Sequence, residues 1–259
     1  MRGLLSGTYT GIGALIGFGM LMSGCAGADN APLVPNYQDA LTQFQAESKN
    51  AKDAPKLSEQ DRQIMQDSGA QLAAAMPEPG LKVGARAPDF SLKDAQGNVV
   101  TLSEALKQGP VILTFYRGAW CPYCNLQLKL LSESLPQFEH YGAQLIAVTP
   151  QLPDKSLEQV NKAGYPFAIL SDLDSQVMRD YNLYFEVPPA LNEVYKNALG
   201  LDLAEYNGAG RYVLPVPGTF VIDSRGIIRG AFAKTDYTQR MEPSAILEVL
   251  KTMPVVTIQ

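Results

Sequence analysis

The chain is poor in the residues that build metal sites and nucleophile–base pairs. It has one histidine, His140, and three cysteines in 259 residues. With so little histidine there is no Ser/His/Asp set. The single C-x-x-C, Cys121 to Cys124, has no second pair to complete a four-ligand zinc site. Charged residues make up only 18%, the formal net charge is −5, and Lys and Arg are scattered. Without a basic stripe, a phosphate backbone has nothing to hold, which excludes a nucleic-acid partner. No phosphate-binding glycine loop, internal repeat or low-complexity segment is present, and no cofactor is expected. What the chain does have is 46% hydrophobic residues, enough for a globular core.

The first residues are a different material. Arg2 is the one charge ahead of an apolar, glycine-rich run from Gly3 to Met22, the pattern of a secretion signal over residues 1–24. The run Leu21-Met22-Ser23-Gly24-Cys25 resembles the lipobox of bacterial lipoproteins. That resemblance implies a lipidated Cys25 at the new N-terminus, and Ala26 after it resembles lipoproteins sent to an outer membrane. The alternative is an uncut signal-anchor helix. Such an anchor normally needs about 20 firmly apolar residues, and this run carries many Gly, Ser and Thr. On either reading the domain is exported and held at the membrane, and we expect a lipid anchor on the periplasmic face of the cell envelope. Residues 25–36 read as a tether.

Residues 37–80 read as a helical arm. Tyr37, Leu41 and Phe44 recur at helical spacing. Ser58 with Asp61 marks the cap of a second helix with Ile64, Met65, Leu72 and Met76 on its apolar side, stopped by Pro77, Pro79 and Gly80. This arm either packs on the domain or mediates pairing. From 81 to 252, strands alternate with helices. Val111–Tyr116, Leu145–Thr149 and Phe167–Leu170 are β-rich runs, the first continuous enough for a strand buried on both faces. Thr219–Asp223 and Ile227–Ala231 flank the turn Ser224-Arg225-Gly226 as a hairpin. Helical patterns lie at 124–135, 155–163, 174–182 and after Pro243, and an insert at 187–213 is expected to form helices beside the site. The expected fold is α/β, a thioredoxin-like three-layer sandwich with a central mixed sheet.

Chemistry concentrates where the strand through Phe115 runs into Cys121-Pro122-Tyr123-Cys124 and then a helix. A helix N-terminus presents unpaired N–H groups and the positive end of the dipole, so a thiolate there is favoured. A second cysteine one turn away can close a small disulfide with little backbone movement. As a purely structural bridge it would stabilise poorly, because so short a loop has little closure entropy to remove. Arg117, a turn earlier, either stabilises a thiolate or leaving hydroxide or forms a surface ion pair. Tyr116 and Trp120 read as core and rim residues at the site mouth.

Here a resemblance enters. Val83 to Leu92 and Gly97 to Leu102 resemble the opening of the AhpC/TSA peroxiredoxin superfamily, and Ser171 to Asp174 with Tyr181-Asn182-Leu183 its middle. Tyr116 to Asn125, Leu214 to Asp223 and Asp236 to Pro243 resemble its bacterial peroxiredoxin-like, C-x-x-C-containing branch. Peroxiredoxins place the attacking cysteine in P-x-x-x-T-x-x-C, which puts it at Cys124. Cys121 then stands in the Thr position and Arg117 in the Pro position, while the downstream Arg falls at about Pro217. Val216-Pro217-Gly218-Thr219 is similar instead to the thioredoxin loop whose cis-proline faces the cysteine pair, which implies a Val216 backbone free to pair with a thiol substrate. A trans proline at a strand start is the alternative.

Three functions remain open on this reading. The first is thiol-dependent peroxide reduction, with Cys124 attacking and Cys121 resolving. The second is a membrane-tethered thiol–disulfide oxidoreductase led by Cys121, the expected more exposed cysteine. The third is a non-catalytic lipoprotein scaffold. Peroxide reduction ranks first because the resemblance spans the domain. Either catalytic cycle takes a peroxide or disulfide substrate and requires an external dithiol electron donor.

Overall fold

The computed structural model describes residues 34–49 and 55–253. The expected signal, the lipidation site Cys25 and the first part of the tether lie outside the described residues. Two helices lead, α1 (Tyr37–Lys49) and α2 (Glu59–Ala75). The start of α2 is fixed by a reciprocal cap in which Ser58 Oγ accepts from Asp61 N at 3.1 Å and the Asp61 carboxylate accepts from Ser58 N at 2.9 Å. Such a cap is worth about 1 kcal/mol.

The domain then runs β1 (Ser91–Asp94), β2 (Val99–Thr101), α3 (Leu102–Leu106), β3 (Val111–Phe115), α4 (Pro122–Glu133) and α5 (Leu135–His140). It continues with β4 (Gln144–Thr149), α6 (Pro153–Ala163), β5 (Ala168–Ser171) and α7 (Gln176–Asp180). The insert supplies α8 (Pro189–Ala198) and α9 (Leu203–Asn207), flanked by β6 (Tyr184–Glu186) before it and β7 (Val213–Pro215) at its end. Last come β8 (Gly218–Ile222), β9 (Ile228–Ala233) and α10 (Pro243–Lys251).

Seven strands form the main sheet in the order β2-β1-β5-β4-β3-β8-β9. The centre is parallel (β3 with β4, β4 with β5) and both flanks are antiparallel, so the sheet is mixed as expected. Every residue of β3 is buried, which requires cover on both faces. Val111, Leu113 and Phe115 face one core with Phe220, Met178 and Tyr181. Ile112 points the other way, into a core with Leu131, Phe138, Ile246 and Leu250. This two-sided burial holds the C-terminal end of β3, and therefore the cysteine loop, in place.

Several short elements are absent from the sequence reading: the edge hairpin β1–β2, the helices α3 and α5, and the two-stranded sheet of β6 and β7. Strands of three or four residues carry too few positions for a period to register. The arm packs on the domain: α1 lies on α4 with Tyr37 and Leu41 against Leu130, and Ile64 and Met65 of α2 reach the apolar cluster of the insert.

Candidate functional site

The strand β3 ends in Phe115, and the buried Tyr116 begins the turn into the cysteines. Gly118 has φ 149°, and a Cβ there would lie 2.5 Å from Trp120 Nε1, so this turn admits only glycine without a shift. Cys121 caps α4, Pro122 is its first residue, and Cys124 falls in the first turn. Proline suits that position because its missing N–H would be unpaired there anyway. Both cysteines are free thiols, with Sγ atoms 2.8 Å apart.

A buried polar network fixes the loop. Tyr116 Oη donates to Gln159 Oε1 at 2.7 Å, and Gln159 Nε2 donates to Asn125 Oδ1 at 2.9 Å. The peptide of Ala119 is gripped from both sides: its N–H donates to Gln151 Oε1 at 3.0 Å, and its C=O accepts from Asn125 Nδ2 at 2.7 Å.

Two arginines flank the sulfurs. Arg240, on the segment between β9 and α10, places Nη2 3.4 Å from Cys124 Sγ. It is held there by the carbonyls of Tyr237 and Gln239. The Arg117 guanidinium lies among three aromatic rings, 4.4 Å from the centre of Tyr237, 5.0 Å from Trp120 and 5.7 Å from Tyr195. It donates to Tyr195 Oη. Both arginines are buried, and among the described residues neither is ion-paired to a carboxylate. Arg117 is therefore not the surface ion-pair partner that was one of its two readings.

This arrangement splits the thiols. Burial pushes Cys121 well above the ordinary thiol range, and its hydrogen bond to Cys124 adds to the rise. Burial pushes Cys124 up as well. There the Cys121 S–H, Arg240, the Arg117 N–H and the Arg117 guanidinium outweigh it, bringing Cys124 down to about 6. These causes favour Cys124 over Cys121 as the thiolate of the pair.

Exposure does not distinguish the cysteines. Cys121 is 1% exposed and Cys124 0%, so the expectation of a more exposed Cys121 is corrected. The physical reason lies outside the motif. Tyr37 of α1 packs over the site, its Oη donating to Thr238 O at 2.8 Å, and Trp120 is covered by the insert cluster. A second correction concerns Val216, whose N–H already donates to Leu183 O at 2.7 Å and is not free for a substrate. Pro217 lines a cavity of about 510 Å³ between α2 and the insert, with Arg117 and Tyr237 in the same wall. Trp120 sits half-buried at the edge, as the rim reading has it.

Of the residues singled out from the sequence, Cys121, Cys124, Arg117 and Trp120 come together. Arg240, Tyr195, Tyr237 and Gln151 were missed. Arg240 stood inside the Asp236-to-Pro243 run, but no spacing rule brings it to a cysteine 116 residues away. It places a guanidinium beside Cys124, whereas the family pattern had put the downstream Arg at about Pro217.

The AhpC/TSA family model matches residues 83–231. The chain belongs to the AhpC/TSA family. It is 30% identical over 165 residues to the thiol-disulfide oxidoreductase ResA of Geobacillus kaustophilus, covering 62% of this chain and 76% of that protein. It is also 30% identical over 156 residues to alkyl hydroperoxide reductase E of Mycobacterium bovis, covering 60% of this chain and 86% of the relative. Among solved structures, peroxidoxin BcpB from Mycobacterium tuberculosis aligns with TM-score 0.53 at 20% identity, over 67% of this chain and 99% of that one. A peroxiredoxin 6 of Arenicola marina aligns with TM-score 0.54 at 14% identity, over 67% and 73%. At those identities the structures show the shared thioredoxin-like fold. Peroxiredoxins and thiol–disulfide oxidoreductases are both oxidoreductases, and this AhpC/TSA chain is one kind or the other. The helical arm lies outside the matched range.

Proposed function

We propose that the chain reduces peroxides, with Cys124 as the attacking thiolate and Cys121 as the resolving thiol. The observation that carries this is the placement of Arg240 against Cys124 Sγ at 3.4 Å, with the negative charge of the pair on Cys124. The Cys124 thiolate attacks the near peroxide oxygen, the O–O bond breaks, and the departing alkoxide or hydroxide takes up a proton as an alcohol or water. Arg240 and Arg117 offset the charge that moves from sulfur to oxygen. Cys121 sulfur then attacks the resulting sulfenic acid, releasing water and closing the Cys121–Cys124 disulfide. An external dithiol protein returns two electrons and two protons. We place the domain outside the cytoplasm, anchored through a lipidated Cys25. The lipobox-like run before that residue supports this.

The test is rapid mixing of the reduced chain with hydrogen peroxide, following its single tryptophan, Trp120, beside Cys121. A fast, concentration-dependent change is expected. It should be absent in Cys124→Ser, whereas Cys121→Ser should consume one equivalent of peroxide and hold a sulfenic acid that dimedone labels. Loss of neither step refutes the reading.

A second reading, thiol–disulfide exchange led by Cys121, is favoured by one observation, the likeness to ResA over 165 residues. It requires Cys121 to alkylate first and Cys124→Ser to trap mixed disulfides. A protein disulfide also needs a far larger opening over the buried pair than a peroxide does.

A further inference from the structure

The cavity of about 510 Å³ between the arm and the insert meets the reaction written above at Arg117. Its size is within the range of roughly 300–1,000 Å³ usual for small-molecule sites. Met65 and Leu72 of α2 and Leu191 of α8 give it an apolar wall. Two charged side chains interrupt that wall. Glu186 is exposed and accepts from Tyr184 Oη at 2.9 Å, whereas Arg117 is only 4% exposed. The cavity therefore has a solvent-facing acidic edge and a buried cationic end.

That buried cation, though set among aromatic rings and donating to Tyr195 Oη, has no carboxylate partner among the described residues. Arg117 Nε has no hydrogen-bond partner, and neither has Nε of Arg240. Around the cysteines, two buried guanidiniums stand with no carboxylate paired to either among the described residues. The Asp236 carboxylate feels the charge of Arg240, but it is exposed and its oxygens accept from Thr238 and Gln239. A buried cation without a counter-charge is costly, and a ligand that supplies one gains accordingly.

We propose that this cavity binds a free long-chain monocarboxylate, with its apolar chain against Met65, Leu72 and Leu191 and its carboxylate on Arg117. A planar guanidinium fork suits a carboxylate. A neutral apolar molecule of the same length fills the cavity but leaves Arg117 unpaired. The site shares Arg117 with the peroxide chemistry, and α2, one of its walls, lies outside the range matched by the AhpC/TSA family.

The probe is dodecanoate, below its micelle concentration, titrated calorimetrically into the chain from residue 26 onward, which keeps every described element. One equivalent should bind, and a series from octanoate to dodecanoate should tighten by about fourfold per added methylene. Dodecanol should bind at least tenfold more weakly. Gly69 faces the cavity, and a Cβ placed there would have nothing within 4 Å, so Gly69→Phe should fill the space without a clash. It should keep the thermal midpoint and weaken dodecanoate at least tenfold. No binding, equal binding of dodecanol, or unchanged binding by a folded Gly69→Phe would each overturn the proposal. Hydrogen peroxide reduction by the same samples is read separately. Its absence counts against the peroxidase reading and leaves the titration to decide the site.

Discussion

Replacing Arg240 by methionine removes the charge nearest Cys124 while keeping an unbranched apolar stem of similar reach. Two unit charges 3.4 Å apart interact by about 5 kcal/mol at an effective dielectric of about 20. That figure is an upper bound, because Arg117 and the Cys121 S–H remain and the guanidinium charge is delocalised. Loss of a single neighbouring opposite charge commonly moves a titration by about 1–3 pH units. Cys124 should therefore rise from about 6 to about 7–9. At pH 7 its thiolate fraction then falls from about nine-tenths to between about one-half and one-hundredth. If Arg240 also offsets charge on the leaving oxygen, its loss costs roughly a further hundredfold. The second-order rate with hydrogen peroxide at pH 7 should fall by roughly 10²- to 10⁴-fold. The assay has two arms, the pH profile of iodoacetamide alkylation of Cys121→Ser and rapid mixing of each chain with peroxide. At pH 9.5 the titration part of the defect should disappear and the leaving-oxygen part should persist. Arg240→Lys should restore much of the titration and less of the rate. An alkylation midpoint that stays near 6 in Arg240→Met refutes the assignment of Arg240.

Three further outcomes follow from the same geometry. Gln151→Leu leaves the half-buried Ala119 N–H without its acceptor and should cost about 1 kcal/mol, seen as a lower urea midpoint and a shifted Trp120 emission. Gly118→Ala places a Cβ 2.5 Å from Trp120 Nε1, so it should displace the indole and slow peroxide reduction at least tenfold while cysteine content stays unchanged. Asp172 is buried, which raises its carboxyl to about 6 against the N–H groups of Met178 and Val177 that pull it down. A carboxyl raised on folding binds its proton more tightly in the folded state. Its contribution is therefore fully present below its unfolded value of 3.8 and is lost as pH rises through about 6. Stability relative to Asp172→Asn should fall by up to about 3 kcal/mol between pH 4 and pH 7 in urea titrations.

The fold was legible where the chain speaks locally. Val111 to Phe115 is β-branched and apolar without interruption, which marks the central strand. Ser224-Arg225-Gly226 punctuates the hairpin of β8 and β9, and Ser58 with Asp61 announces α2. The β6–β7 pair was not legible, because Tyr184 meets Pro215 only after the whole insert has folded between them. The same distinction divides the site. Cys121 and Cys124 are set by local spacing, whereas Arg240 reaches Cys124 only through the order in which β3, β8 and β9 lie side by side. The misjudged exposure of Cys121 has a similar origin, since what covers the pair comes from the arm and the insert.

The polarity of the pair is the point on which function turns, and local reasoning alone gets it wrong by a matter of magnitudes. A helix N-terminus favours a nearby anion by roughly 0.3–1 kcal/mol, and Cys121, as the cap of α4, sits at that terminus. Acting alone, the helix would leave Cys121 the better thiolate, as a thiol–disulfide oxidoreductase led by its first cysteine requires. A buried guanidinium in contact with sulfur acts with several times that energy, and here it contacts Cys124. The cation placed by the turn after β9 therefore acts more strongly than the helix and favours the charge one turn into α4, on Cys124, which on the proposed reading leaves Cys121 as the resolving thiol. On this argument a chain in the same family that keeps the C-x-x-C but carries no cation at position 240 should revert to attack from its first cysteine. Arg240→Met tests that inside this chain: iodoacetamide should shift its preferred site from Cys124 towards Cys121, and labelling that stays on Cys124 would show that something other than Arg240 sets the polarity.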